Sequence, residues 1–95
     1  VPQDYAEAVK WTRLAVEQGN ADAQNNLGAL YQTGDGVLQS NMMAHMWFNI
    51  ASANGHDTAS EWRDERAGLM TNVDISKAQE LARECMNSNY QNCGD

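Results

Sequence analysis

Two cysteines, two histidines and five methionines are the residues of this sequence whose chemistry can go beyond packing, and their spacing limits what that chemistry is. Cys85 and Cys93 stand eight apart, the first on the apolar side of a helical run and the second past a polar turn at Asn87 to Asn89. A bridge back to the helix fits this arrangement and would contribute roughly 2 to 3 kcal/mol by chain entropy. Buried free thiols and a reactive redox pair are the other two readings. Zinc does not fit, because a C-x7-C pair with no second pair nearby lacks the ligands of a closed site. Met42, Met43, His45 and Met46 offer the thioether and imidazole ligands that copper accepts. Met42 and Met46 lie one helical turn apart, however, so filling gaps between packed helices is the expected role, and neither metal nor cofactor is expected. His45 and His56 share no evident carboxylate and have no general-base setting, which leaves both as surface or interface residues.

Nucleophilic chemistry fares no better. Ser40, Ser52, Ser60, Ser76 and Ser88 all lack a Lys three residues on, so no S-x-x-K motif exists. The Gly34-Asp35-Gly36 run is a turn and not a phosphate loop. Glu61, Asp64 and Glu65 are interleaved with Arg63 and Arg66, as on a solvated helix face. No enzymatic activity is expected.

An internal repeat supplies the elements that must carry whatever function there is. Shifting the chain by 36 pairs Val1 with Val37, Gln3 with Gln39, Ala8 with Ala44, Trp11 with Trp47, Ala15 with Ala51, Gly19 with Gly55 and Ala23 with Ala59. Ala8, Trp11 and Ala15 share one helical stripe, as do Ala44, Trp47 and Ala51, so both tryptophans are predicted to be core. Asp4 with Glu7 reads as a capping box that starts a helix near residue 4, and Gly19 and Gly55 stop helices in the left-handed conformation. Asn20 and Asp57 are candidate caps for the helices that follow, the first with Ala23, Leu27, Leu30 and Tyr31 inward. Thr71 and Asp74 open a last helix whose inner face is Ile75, Ala78, Ala82 and Cys85. Five helices and no strand are predicted.

The chain has 95 residues, enough for one domain. Thirteen acidic against six basic side chains give a net charge of -7, which repels phosphate backbones and anionic lipid. Nucleic acid and membrane insertion are therefore not expected, and the longest apolar runs fall far short of the roughly 20 residues a spanning helix needs. No basic-then-apolar signal stands at the start, and because the chain opens on Val1, an upstream segment is expected to have been removed.

With these residues in view, the run from Asp4 to Val37 resembles the Sel-one-like repeat, a relative of the tetratricopeptide repeat. The resemblance rests on Ala8, Trp11, Ala15, Gly19, Ala23, Leu27, Gly28, Tyr31, Gly34 and Gly36. It implies an all-α fold, a right-handed α/α superhelix or solenoid of antiparallel helix pairs. Residues 1–95 would form a single solenoid domain. In it residues 1–19 are the second helix of a truncated repeat, 20–55 a complete repeat and 56–95 C-terminal capping helices. The second repeat departs from the pattern, with Arg63, Asp64 and Ala67 where Leu27, Gly28 and Tyr31 would recur. The chain is expected to be the C-terminal end of a longer array, with an apolar N-terminal face open to self-association.

The resemblance further implies an adaptor or scaffold that binds a partner protein or peptide on the concave surface lined by the first helix of each pair. On the helix after Asn20 that surface would carry Asp22, Asn25, Asn26, Ala29 and Gln32; the shift of 36 maps these onto Thr58, Glu61, Trp62, Glu65 and Gly68. Mostly amide groups, one aromatic and two carboxylates suit a peptide with basic or aromatic groups. Trp62, standing in for Asn26, either lines that groove or caps the array. The alternatives are a purely structural C-terminal cap and, from cysteine-rich relatives, a β-lactam hydrolase. A Cys85–Cys93 bridge would favour the periplasm or the exterior, and free thiols the cytoplasm.

Overall fold

Residues 5–94 are described by a computed structural model, all-helical across that span. Its helices are α1 (Tyr5–Val16), α2 (Ala21–Thr33), α3 (Asn41–Ala53), α4 (Ala59–Ala67) and α5 (Asn72–Asn87). Side-chain oxygens fix three of the starts by accepting backbone N–H groups that a helix leaves unpaired. Asn20 Oδ1 accepts from Ala23 at 3.0 Å, Ser40 Oγ from Met43 at 3.1 Å and Thr71 Oγ1 from Asp74 at 3.1 Å. Gly34 ends α2 at φ 83°, and its N–H donates to the Leu30 carbonyl at 2.7 Å. Gly19 and Gly55 both have positive φ, as the turn reading requires. One expected cap lies beyond reach and one is corrected. Asp4 lies outside the described residues, and Asp57 does not cap α4: Thr58 takes the cap position in an α conformation with no side-chain bond, and its N–H donates to His56 Nδ1 at 3.3 Å.

Helices adjacent in sequence pack on one another from α1 to α4, and α5 lies against α3. Central placement explains the composition of α3, which is apolar nearly all round: Ala44, Met46, Trp47, Phe48, Ile50 and Ala51 are all buried. Leu27 and Tyr31 reach it from α2, and Ala82 and Cys85 complete the same core from α5. Gly28 sets the spacing of α2 and α3. A Cβ there would stand 2.7 Å from the Phe48 ring, so only glycine lets that ring lie against the α2 backbone.

The helix α1 packs chiefly on α2, and its buried residues are Val9, which lies by the Gly36 turn, and Val16. Trp11 is two residues from Val9, about 200° around the helix at about 100° per residue, and so projects on the far side. The predicted core role of Trp11 is therefore corrected: it is 60% exposed, with Lys10 Nζ 5.9 Å from its ring centre, whereas its repeat mate Trp47 is 1% exposed. Tyr5, Ala8 and Leu14 are exposed too. The counterparts of Ala8 and Leu14 on α3, Ala44 and Ile50, are buried because α3 has α2, α4 and α5 around it.

The C-terminal end is clasped to the repeat. Cys85 and Cys93 are bridged, with their Cα atoms 4.3 Å apart. Asn89 and Tyr90 have left-handed backbones between them, and the Tyr90 N–H donates to the Cys85 carbonyl at 2.8 Å. From this loop the Tyr90 hydroxyl accepts from Asn54 Nδ2 at 2.9 Å; the same amide donates to Oε1 of the fully buried Gln24 at 2.8 Å, and Gln24 Nε2 donates to the Val16 carbonyl at 3.4 Å. One polar chain thus ties α1, α2, the end of α3 and the C-terminal loop together.

Candidate functional site

The stripe predicted on α2 divides by helical geometry. Asn25, Ala29 and Gln32 fall within a narrow arc and line a cleft of about 220 Å³, together with Thr33 of α2, Phe48 of α3 and Trp62 of α4. Asn26 is one residue further on, about 100° around the helix, and faces solvent outside the cleft. Asp22 also stands clear of it, with an exposed carboxylate 3.7 Å from His56 Nε2. On α4 only Trp62 reaches the cleft; Glu61 and Glu65 flank it on the exposed side, and Glu65 takes a bond from Arg66 Nη2 at 2.9 Å. Four of the eight proposed binding residues therefore converge.

The cleft has an aromatic base and an amide rim. Phe48 is buried beneath it, while Trp62 is 43% exposed at its edge. Asn25 Oδ1 is shut off from solvent without a hydrogen-bond partner. The Thr33 hydroxyl is engaged with the Ala29 carbonyl at 3.2 Å and Asp35 Oδ2 at 3.0 Å, so it closes the end of the wall. Sequence reading missed Phe48 and Thr33. The signal for Phe48 was Gly28, whose missing side chain leaves room beside α2 for a ring.

Other sequence candidates move to structural roles. Met46 is buried, and Met42 and Met43 are half-buried, as gap filling requires. No group of three or more histidine, cysteine, aspartate or glutamate residues able to hold a metal ion occurs among the described residues. The basic members of the α4 cluster are not simply solvated: half-buried Arg63 donates from Nη1 to Asn49 Oδ1 of α3 at 3.0 Å. His45 corrects the expectation of a surface or interface residue. It is 2% exposed inside α3, and its Nδ1 has no partner.

Burial holds the His45 pKa below its ordinary value of 6.5; the Arg63 charge adds to that, and Asp64 opposes it. The unfolded chain therefore takes up this proton at a higher pH than the fold does. Stability from a neutral His45 is complete above pH 6.5 and is lost as pH falls from there toward the lowered value. Thermal melts between pH 7.5 and about 5 should show a decline that His45→Gln flattens. An equally steep decline in the variant would assign it to other groups.

None of the helices among the described residues is long and apolar enough to cross a membrane. The Sel1 repeat family model matches residues 1–20 and 21–56, more than half of the chain, and so takes in α1, α2 and α3.

Proposed function

The chain belongs to the Sel1 repeat family, and on that premise we propose that it is a recognition module whose cleft between α2 and α4 receives an extended segment of a partner protein. Sel1 repeats are generally protein–protein interaction modules and typically not enzymes. The observation that carries the reading is the meeting of Asn25, Ala29 and Gln32 with Trp62 over Phe48. Amides can pair with the backbone of an extended peptide while an aromatic edge holds one of its side chains. The adaptor or scaffold role proposed here thus rests on α2 and α4, and on Asn25 in place of the exposed Asn26.

Selection of decapeptides from a random displayed library against the intact chain tests this. Peptides captured by the parent should be lost, about tenfold or more, by an Asn25→Ala/Trp62→Ala variant whose melting temperature is preserved. Undiminished capture would place binding elsewhere.

A second reading, the purely structural cap, is favoured by α5, which buries Ala78, Ala82 and Cys85 against the repeat and leaves a polar outer side. The two are compatible, since a closing helix can hold α3 and α4 in the geometry that forms the cleft. The open side of α1, with Tyr5, Trp11 and Leu14, is the proposed surface for self-association; on α3 the equivalent positions are covered by packed helices. The Cys85–Cys93 bridge supports an oxidising compartment, the periplasm or the exterior.

A further inference from the structure

We propose that the cleft between α2 and α4 is a subsite for one arginine side chain of the partner polypeptide, stacked on Trp62 beside the carboxylates of Glu61 and Glu65. The proposal rests on the recognition reading above and specifies the chemistry of its occupant. At about 220 Å³ the cleft is below the range of small-molecule and cofactor sites and has room for one long side chain.

Two features select among side chains, the open aromatic edge and the charge around it. Trp62 keeps 43% of its surface open at the cleft edge, and an exposed indole draws a cation and lets a planar guanidinium stack on it. Lysine's ammonium is strongly hydrated and lacks that plane, so it is second best. Charge agrees with this choice. Glu61 and Glu65 flank Trp62 on α4, the chain carries a net charge of -7, and no Lys or Arg is among the residues lining the cleft, Arg63 being engaged with Asn49 and Asp64 and Arg66 with Glu65. Phe48 below supports the methylene stem.

Nuclear magnetic resonance titration of the isotope-labelled chain with N-acetyl-L-argininamide tests the subsite directly. The Trp62 indole N–H and the Asn25 side-chain amide should shift saturably, while the Trp47 indole stays still. The neutral isostere, the corresponding citrullinamide, should bind about fivefold or more weakly, and lysinamide should fall between. Trp62→Leu should abolish saturation and Trp62→Phe restore part of it. Equal binding of the citrulline analogue, tighter binding of N-acetyl-L-tryptophanamide, or shifts that scatter over surface carboxylates without saturating would overturn the proposal. Peptide capture that needs Trp62 but shows no preference for arginine would remove the arginine subsite and keep the recognition reading. Saturable argininamide binding by a chain that captures no peptide would do the reverse.

Discussion

Trp47→Ala should cost the fold about 3 to 5 kcal/mol, whereas Trp11→Ala should leave stability within about 1 kcal/mol of the parent. Both residues occupy the same place in the repeat, and only their surroundings differ. Trp47 is 1% exposed within the cluster formed by Leu27, Tyr31, Phe48, Ile50 and Ala82, and its removal opens a cavity that three neighbouring helices hold apart. Its Nε1 has no hydrogen-bond partner, so truncation deletes no polar bond and the loss is one of packing. Trp11 loses little on truncation because 60% of its surface already meets water. Chemical denaturation of both variants measures the contrast. Equal losses at the two sites would mean that the Trp11 side is covered in solution, and sedimentation of the parent would then have to show an associated species.

The same pair marks how far the sequence was legible. Repeat spacing, the glycines and the caps Asn20 and Thr71 pointed to five helices in the right order, because turn and cap signals act locally and do not depend on neighbours. Which side of a helix is buried depends on what lies beside it. Periodicity put Ala8 and Trp11 on an apolar stripe, but α1 packs chiefly on α2 at the edge of the fold, and Val9 and Val16 are its buried residues. The cleft was partly legible for a related reason. The stripe on α2 was found, but stepping by three or four from Asp22 admitted Asn26, which points about 100° away from Asn25. Phe48 belongs to a third helix and no spacing rule links it to α2 or α4. His45 and Gln24 were hidden in the same way. Polar residues read as surface unless a partner is known, and the partners of Gln24 are the Val16 carbonyl and Asn54, eight and thirty residues away.

Loss of the Cys85–Cys93 bridge should lower stability by about 2 kcal/mol and release the C-terminal loop before the helices melt. Two opposing effects set that figure. Closing an eight-residue separation removes chain entropy from the unfolded state worth roughly 2 to 3 kcal/mol. Against it, the bridged loop holds Asn89 and Tyr90 in left-handed conformations; asparagine tolerates that region, Tyr90 gives up on the order of 1 kcal/mol, and a severed loop can relax it. The bridge effect wins because relaxing the loop also parts Tyr90 from Asn54, the outer end of the chain of hydrogen bonds that reaches the buried Gln24. Intact-mass analysis after alkylation without reductant checks the premise: folded, oxidised protein should take up no label, and two labelled thiols would exclude the bridge. Melts with and without reductant check the magnitude, and amide exchange should then accelerate at Tyr90 and in the last turn of α5 while α2 and α3 stay protected. Because the clasp reaches α2 through Gln24 and not through Asn25, reduction at temperatures well below the melt should leave the cleft beside Trp62 intact; a change in the Trp62 indole signal on reduction would show that the bridge also holds the binding surface.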